Sequence, residues 1–307
     1  MFKKHLHLGM LSVAFFTLIT FSLSAQDFKL QILHNNDGES KLFPLENGYG
    51  GAAQFLGTLN ALRFEAWQNN YPSILLSSGD NFIPGPEIEA SLALPASEAP
   101  YDARVFSAFT YDALCIGNHD FDLGPDFLAR VINGLNPDRQ FPKFLSANLY
   151  FSGEPSLAAL EESGRLAKST IIFRGSERIG VIGLTTPNLD FISSPRNVGI
   201  MDNLAEVVAT EVAALEEKGV NKIILISHLQ GIAEDRALVS ELSGVDVVIA
   251  GGGDEILAND ESQLVPGDEI AGEYPQQLTD VDGNTVYVVT TGGDYKYVGN
   301  LTVTFDA

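Results

Sequence analysis

The sequence predicts an α/β protein. Short apolar runs of strand length alternate with longer stretches of helical spacing, the order that covers a sheet with helices. Five of those apolar runs end in loops rich in carboxylate, amide or imidazole, and open α/β sheets bind ligands at the carboxyl ends of their strands. No repeat, low-complexity tract or linker divides residues 26–307, which read as one domain.

The elements follow in order. Residues 29–34 alternate, then turn polar at Asn35-Asn36-Asp37-Gly38-Glu39: a strand and an acidic loop. Residues 50–67 carry Ala53, Leu56, Leu59, Leu62 and Phe64 at helical spacing and read as an amphipathic helix. Residues 73–77 form a short strand ending in Ser78-Gly79-Asp80-Asn81, with Pro84, Gly85 and Pro86 forcing a loop after it. Residues 87–110 read as helix in pieces, broken at Pro95 and Pro100. A strand over 111–116 leads into Gly117-Asn118-His119-Asp120-Phe121-Asp122, and 125–133 have helical spacing. Strands follow over 143–147, 170–174 and 178–184, the last two as a hairpin turning at Gly175-Ser176. A helix with an acidic outer face spans 203–218, and a strand over 222–226 ends in Ser227-His228. A helix over 232–242 and a strand over 245–250 lead to Gly251-Gly252-Gly253-Asp254-Glu255; strands over 285–291 and 298–305 close the chain.

Composition bounds the function. Of 307 residues, 45% are apolar and 19% charged, which fits a packed core. The net charge of −22 repels duplex nucleic acid and anionic membrane. It also repels phosphate, so a phosphate site here needs its own positive charge, most simply metal. The single cysteine, Cys115, excludes an internal disulfide and reads as a buried structural thiol. Residues 1–25 read as a secretory leader: Lys3 and Lys4, an apolar core from Leu8 to Phe21, and small residues at Ser22-Leu23-Ser24-Ala25. The expectation is export, to the periplasm, the cell surface or the medium, with no membrane span once the leader is removed.

The polar loops carry the chemistry. Outside the leader there are three histidines, His34, His119 and His228, each at or beside a strand-end loop. Asn118 offers a neutral oxygen to a metal, His119 can move a proton near neutral pH, and Asp122 can orient it. This oxygen-rich inventory fits two divalent ions about 3.5–4 Å apart, which clamp the attacking and leaving oxygens at phosphorus. No serine lies in a nucleophile-elbow context and there is no Gly-rich Lys-Ser/Thr phosphate loop, so serine acyl transfer and triphosphate motor chemistry are not supported.

The blocks Ile32-Leu33-His34-Asn35-Asn36-Asp37, Ser78-Gly79-Asp80, Gly117-Asn118-His119-Asp120-Phe121-Asp122, Ser146-Ala147-Asn148-Leu149 and Ser227-His228-Leu229 resemble, in this order, the calcineurin-like metallophosphoesterases. The chain is most similar to the catalytic domain of the secreted bacterial 5′-nucleotidases and cyclic phosphodiesterases. The resemblance implies a four-layer αββα sandwich of two mixed sheets over residues 26–307, with a dinuclear metal site at the strand ends. By position, Asp37 would bind the first metal, Asp80 would bridge, and Asn118 and His228 would bind the second. His119 and Asp122 would be the dyad that stabilises the transition state or protonates the leaving oxygen, while metal-bound hydroxide attacks in line. The implied substrate is a small phosphate ester or nucleotide, with a monoester or a 2′,3′-cyclic diester as alternatives. The family's nucleotidases carry a further C-terminal substrate-binding domain, and nothing of it is seen before Ala307.

Two departures bear on the metal. The family's first block is Asp-x-His, but Asp37 is followed by Gly38 and Glu39; its last is Gly-Gly-His-x-His or a close variant, but here Asp254 and Glu255 stand. Either Glu39, Asp254 and Glu255 replace imidazoles as ligands, favouring Mn²⁺, Mg²⁺ or Ca²⁺ over Zn²⁺, or the site is degraded and the chain is a non-catalytic exported module. Acids at both gaps favour the first. His34, inside its strand, reads as a core histidine; Asp120 as a supporting acid; Asn148 as a turn residue; and Asp282-Gly283 as a hairpin turn rather than part of a calcium loop. Asp294 is a further candidate ligand.

Overall fold

The computed structural model describes residues 27–135 and 142–306. In chain order its elements are β1 (Phe28–Asn35), α1 (Ala52–Gln68), β2 (Ser73–Ser77), α2 (Pro86–Leu92), α3 (Tyr101–Phe109), β3 (Ala113–Cys115), α4 (Pro125–Asn133), β4 (Lys143–Leu145), β5 (Leu149–Tyr150), α5 (Pro155–Glu162), β6 (Leu166–Ala167), β7 (Ser169–Arg174) and β8 (Glu177–Thr185). Then come α6 (Leu189–Ile192), β9 (Gly199–Ile200), α7 (Leu204–Glu216), β10 (Ile223–His228), α8 (Ile232–Val239), β11 (Val247–Gly251), β12 (Gln276–Thr279), β13 (Thr285–Val289) and β14 (Gly299–Phe305). The secretory leader expected over residues 1–25 lies outside the described residues.

Two mixed six-stranded sheets form, in the orders β14-β1-β2-β3-β4-β6 and β12-β13-β11-β10-β8-β7. Inner strands run parallel, and β14, β7 and β12 are antiparallel to their neighbours. Alternation explains the layering, because successive side chains on a strand face opposite ways. On β1, Leu30 and Ile32 enter a core shared with Ile224, Ile226, Val247 and Ile249 of the second sheet, so this core lies between the sheets. Leu33 faces the other way, against Phe55 and Leu59 of α1 and Phe106 of α3. On β10, Leu225 turns outward to Val208 of α7 and Ile232 of α8. Strands buried on both faces read as continuous apolar runs. Three cores therefore separate four layers, helices outside and sheets inside, as the resemblance implied.

Most predicted elements are present with shifted ends. α2 and α3 are separated across Pro95 and Pro100, where helix propagation fails. The strand expected over 143–147 is the shorter β4, because the chain then leaves its sheet: the Ala147 N–H donates to Gly183 O of the second sheet at 2.7 Å. Asn148 bridges the same place, its Nδ2 to Thr185 O at 2.8 Å and its Oδ1 from Thr185 N–H at 2.9 Å, so it joins the sheets. His34 is fully buried with Nε2 at 2.8 Å from the Tyr274 hydroxyl, and burial pulls its pKa down to about 3: a core histidine. Cys115 is a buried free thiol. Asp280 Oδ1 accepts from the Asp282 and Asn284 N–H groups at 3.0 and 2.7 Å, closing the β12–β13 hairpin at Gly283.

Candidate functional site

Strand ends from both sheets converge here. β1, β2 and β3 carry Asp37, Asp80, Asn118 and His119 on the loops beyond them; β10 ends in His228. Two glycines let the loops touch. Gly79 has φ 94°, and a Cβ there would lie 2.8 Å from Gly117 N. A Cβ on Gly117 would lie 2.0 Å from Asp80 Oδ1. Non-glycine residues also hold left-handed backbone: Asp37 (φ 49°), Glu39 (48°), Ser40 (55°), Asp80 (49°) and Asp294 (62°). Such conformations cost about 1–3 kcal/mol each and persist where the surroundings fix them. Here Asp37 N–H bonds Gly79 O, Glu39 N–H bonds Asp80 O and Ser40 N–H bonds Asn81 O, each at 3.0 Å, while Asp294 N–H reaches Asp37 O at 2.8 Å.

Asp37, Asp80 and His228 each present a ligand atom within 4.8 Å of the others, all buried. Each carboxylate is steadied through one oxygen and turns the other inward. Asp37 Oδ2 accepts from Asn36 Nδ2 at 2.6 Å and Gly252 N–H at 3.0 Å, leaving Oδ1 at 4.0 Å from His228 Nε2. Asp80 Oδ1 accepts from His119 N–H at 2.8 Å, and its Oδ2 lies 2.8 Å from His228 Nε2. His228 Nδ1 is 2.7 Å from Ser78 O; a carbonyl only accepts, so Nδ1 carries the proton and Nε2 faces the centre. Asn118 Oδ1 lies 3.1 Å from that Nε2.

The field at this point calls for a cation. Burial acts to lower the pKa of His228, yet Asp80 and Asp37 beside it carry it up to about 10. Burial, then the Asp80 charge, raises Asp37 to about 6, against the pull of His228. Two carboxylate oxygens and one imidazole nitrogen face one buried point, with the Asn118 amide beside them able to turn its oxygen in, and this oxygen-rich set fits a divalent ion. Beside them, His119 Nδ1 is 2.6 Å from Asp122 Oδ2. That hydrogen bond, against burial and with help from Asp80, raises His119 to about 9, so it carries a proton at neutral pH. Asp120 holds the loop: its Oδ2 accepts from Gly117 N–H at 2.7 Å, and burial, then the Asp80 charge, raises its pKa well above the ordinary value.

The acids at the two departures do not share one place. A cleft of about 440 Å³ is lined by Asp37, Glu39, Asp254, Asp268, Asp294 and Lys296, among others. Glu39 is raised by burial, then by Asp294 and Asp37. Lys296 is 3.0 Å from Asp268. Glu255 lies outside this lining: its carboxylate fits between two glycines, with Oε1 3.5 Å from a Cβ on Gly231 and Oε2 2.0 Å from one on Gly253. Sequence reasoning missed Asn36, Gln230 and Ser193. Asn36 grips Asp37 and accepts from Thr291 N–H at 3.1 Å, tying β1's loop to the strand end beyond β13. Gln230 Nε2 reaches Asn118 Oδ1 at 2.5 Å. Asn36 could have been found, since it sits inside the Asn35-Asn36-Asp37 run; Gln230 and Ser193 carry no local signal.

No family model matches the chain. It is 31% identical over 295 residues to a probable 5′-nucleotidase of Treponema pallidum, covering 92% of this chain and 46% of that protein. It superposes on a 5′-nucleotidase precursor from Thermus thermophilus with TM-score 0.77 at 34% identity, covering 91% of this chain and 52% of that one. A calcineurin-like phosphoesterase from Bacillus subtilis shares the fold, with TM-score 0.68 at 21% identity, over 92% of this chain and 86% of that one. The chain spans about half the length of the curated relatives it matches. Over that span it is a homologue of the metallophosphoesterase domain of the 5′-nucleotidases, built on the calcineurin-like phosphoesterase fold.

Proposed function

We propose that this chain is the hydrolytic domain of an exported, metal-dependent phosphomonoesterase that acts on nucleotides. The observation that carries this reading is the meeting of Asp37, Asp80, Asn118 and His228 at one buried point beside the His119–Asp122 pair. These four residues would hold the metal, and Glu39, Asp254 and Asp294 add oxygen donors along the adjoining cleft. Glu255, whose Oε2 lies where a side chain at position 253 would begin, is a further candidate donor beside it. A pair of divalent cations, when bound, polarises a phosphoryl oxygen and lowers the pKa of a coordinated water from 15.7 to about 7.

The chain's own groups do the rest. Asp37 and Asp80 make the region negative, so a phosphoryl group is held there only with a bound cation to offset both carboxylates and the phosphate. His119, with Nδ1 engaged by Asp122, presents Nε2 to the ester oxygen and gives it a proton as the P–O bond breaks. The donor set is oxygen-rich, so Mn²⁺, Mg²⁺ or Ca²⁺ suits it better than Zn²⁺. The leader read over residues 1–25 supports export. Among the described residues no helix is long and apolar enough to cross a membrane.

The test is metal analysis of protein purified without chelator, with phosphate release from adenosine 5′-monophosphate and from 2′,3′-cyclic AMP in each of the four ions. Two bound ions per chain and cleavage of the monoester are expected. Cleavage of the cyclic ester alone would move the assignment to a phosphodiesterase. Protein that binds no ion and cleaves neither would end it.

A further inference from the structure

Asp122 is held from two sides. Its Oδ2 meets His119 Nδ1 at 2.6 Å, and its Oδ1 accepts a hydrogen bond from Ser193 Oγ at 2.7 Å. A carboxylate fixed through one oxygen can still rock about its Cβ–Cγ bond, and the second bond removes that freedom. We infer that Ser193 is a positioning residue for the His119 imidazole, acting through Asp122; the inference rests on the ester hydrolysis proposed above.

The segment that carries Ser193 is built to stay in place. α6 is a single turn anchored by Leu189, which is fully buried. The Ser193 N–H closes that turn on Leu189 O at 3.0 Å. Just beyond, Arg196 reaches Glu154 Oε2 at 2.8 Å and Asp126 Oδ2 at 2.9 Å. Glu154 Oε1 accepts from both the backbone N–H and the Nδ2 of Asn197, each at 2.9 Å. Glu154 is only 4% exposed, so its carboxylate, though not the exposed Arg196–Asp126 arm, is shielded from competing water. The segment between α6 and β9 is thereby tied to the starts of α4 and α5, and its hydroxyl is delivered to a carboxylate 71 residues earlier in the chain.

The consequence falls on one step. Water adds to phosphorus and releases one proton to solvent, the P–O bond to the leaving group breaks, the departing oxygen takes the proton from His119 Nε2, and His119 recovers a proton from solvent. An alkoxide leaving group needs that proton; a nitrophenolate leaves without it. A loosely held His119 should therefore slow alkyl esters and spare aryl esters. A residue that merely supports the fold would slow both alike.

The experiment compares Ser193→Ala, Ser193→Val and Ser193→Thr on adenosine 5′-monophosphate and p-nitrophenyl phosphate at equal metal loading. Ser193 has extended backbone (φ −149°, ψ −163°), which suits β-branched residues, so Val and Thr form a pair that differs in the hydroxyl alone. Ala and Val should lose about tenfold in kcat on the nucleotide with KM unchanged, and less than about twofold on the aryl ester. Thr should stay near wild type on both. In parallel, the His119 Nδ1 proton resonance should move in Val and hold its place in Thr. Equal losses on both esters, no loss on either, or Thr behaving as Val would overturn the role of Ser193 while leaving the hydrolase assignment standing. A wild-type protein that cleaves neither ester would bring down the hydrolase assignment and the inference with it.

Discussion

Asp235→Asn should flatten part of the pH dependence of stability. Asp235 lies on α8, fully buried, with the Ser227 hydroxyl donating to its Oδ1 and, among the described residues, no partner on its Oδ2. Burial raises its pKa from 3.8 to about 7; Ser227 and His228 oppose the rise, and Glu234 and Glu255 add to it. A carboxyl group whose pKa is raised by folding stabilises the native state below the unfolded value, and that contribution is lost as pH climbs through the folded one. The window is therefore pH 3.8 to about 7. At about 1.4 kcal/mol per pH unit, the whole loss is about 4 kcal/mol. Asparagine cannot ionise, so the variant should lack this slope. Its amide leaves N–H groups without acceptors, worth about 1–3 kcal/mol, so the net gain at pH 8 is about 1–3 kcal/mol. Urea unfolding of wild type and variant at matched metal across this range gives both curves. Asp102, also raised to about 6, has no shared partner with Asp235 and contributes to each curve equally. Parallel curves would show that Asp235 is ionised in the folded protein and would refute the reasoning.

Three further outcomes are expected. His119→Asn should lower kcat on adenosine 5′-monophosphate by about 10²–10⁴-fold while bound metal, by elemental analysis, is unchanged. Gly117→Ala puts a Cβ 2.0 Å from Asp80 Oδ1 and 2.7 Å from Asp80 N. Its cost in stability should be about 1–3 kcal/mol by denaturant titration, and metal affinity by calorimetry should fall about 10–100-fold as Asp80 shifts. Chelation should lower Tm, and restoring an ion to about 100 times its Kd should return about 2.7 kcal/mol.

The sequence shows much of this site because its residues stand where apolar strands stop. Asp37, Asp80, Asn118 and His228 each follow a run buried on both faces, so the boundary between run and loop marks the ligand end of the sheet. Helices α1, α4 and α7 were readable from their apolar spacing. The two-residue strands β5, β6 and β9 were not, since two positions carry no period; they exist through their partners. Nor could spacing separate Asp254 from Glu255. Adjacent in sequence, they differ in surroundings: Asp254 lines the cleft, while Glu255 fits between Gly231 and Gly253. Ser193 and Gln230 meet the site through contacts spanning 71 and 112 residues, and only the completed fold brings them there.

Asp37, Asp80 and Asn118 hang from one sheet and His228 from the other. An ion gripped by all four is a clasp across the seam of the sandwich, closing an end that apolar side chains do not fill. Loading it should therefore tighten the two halves against each other, and the amides of β2 and β10 should exchange more slowly with solvent than those of the outlying β7 and β12.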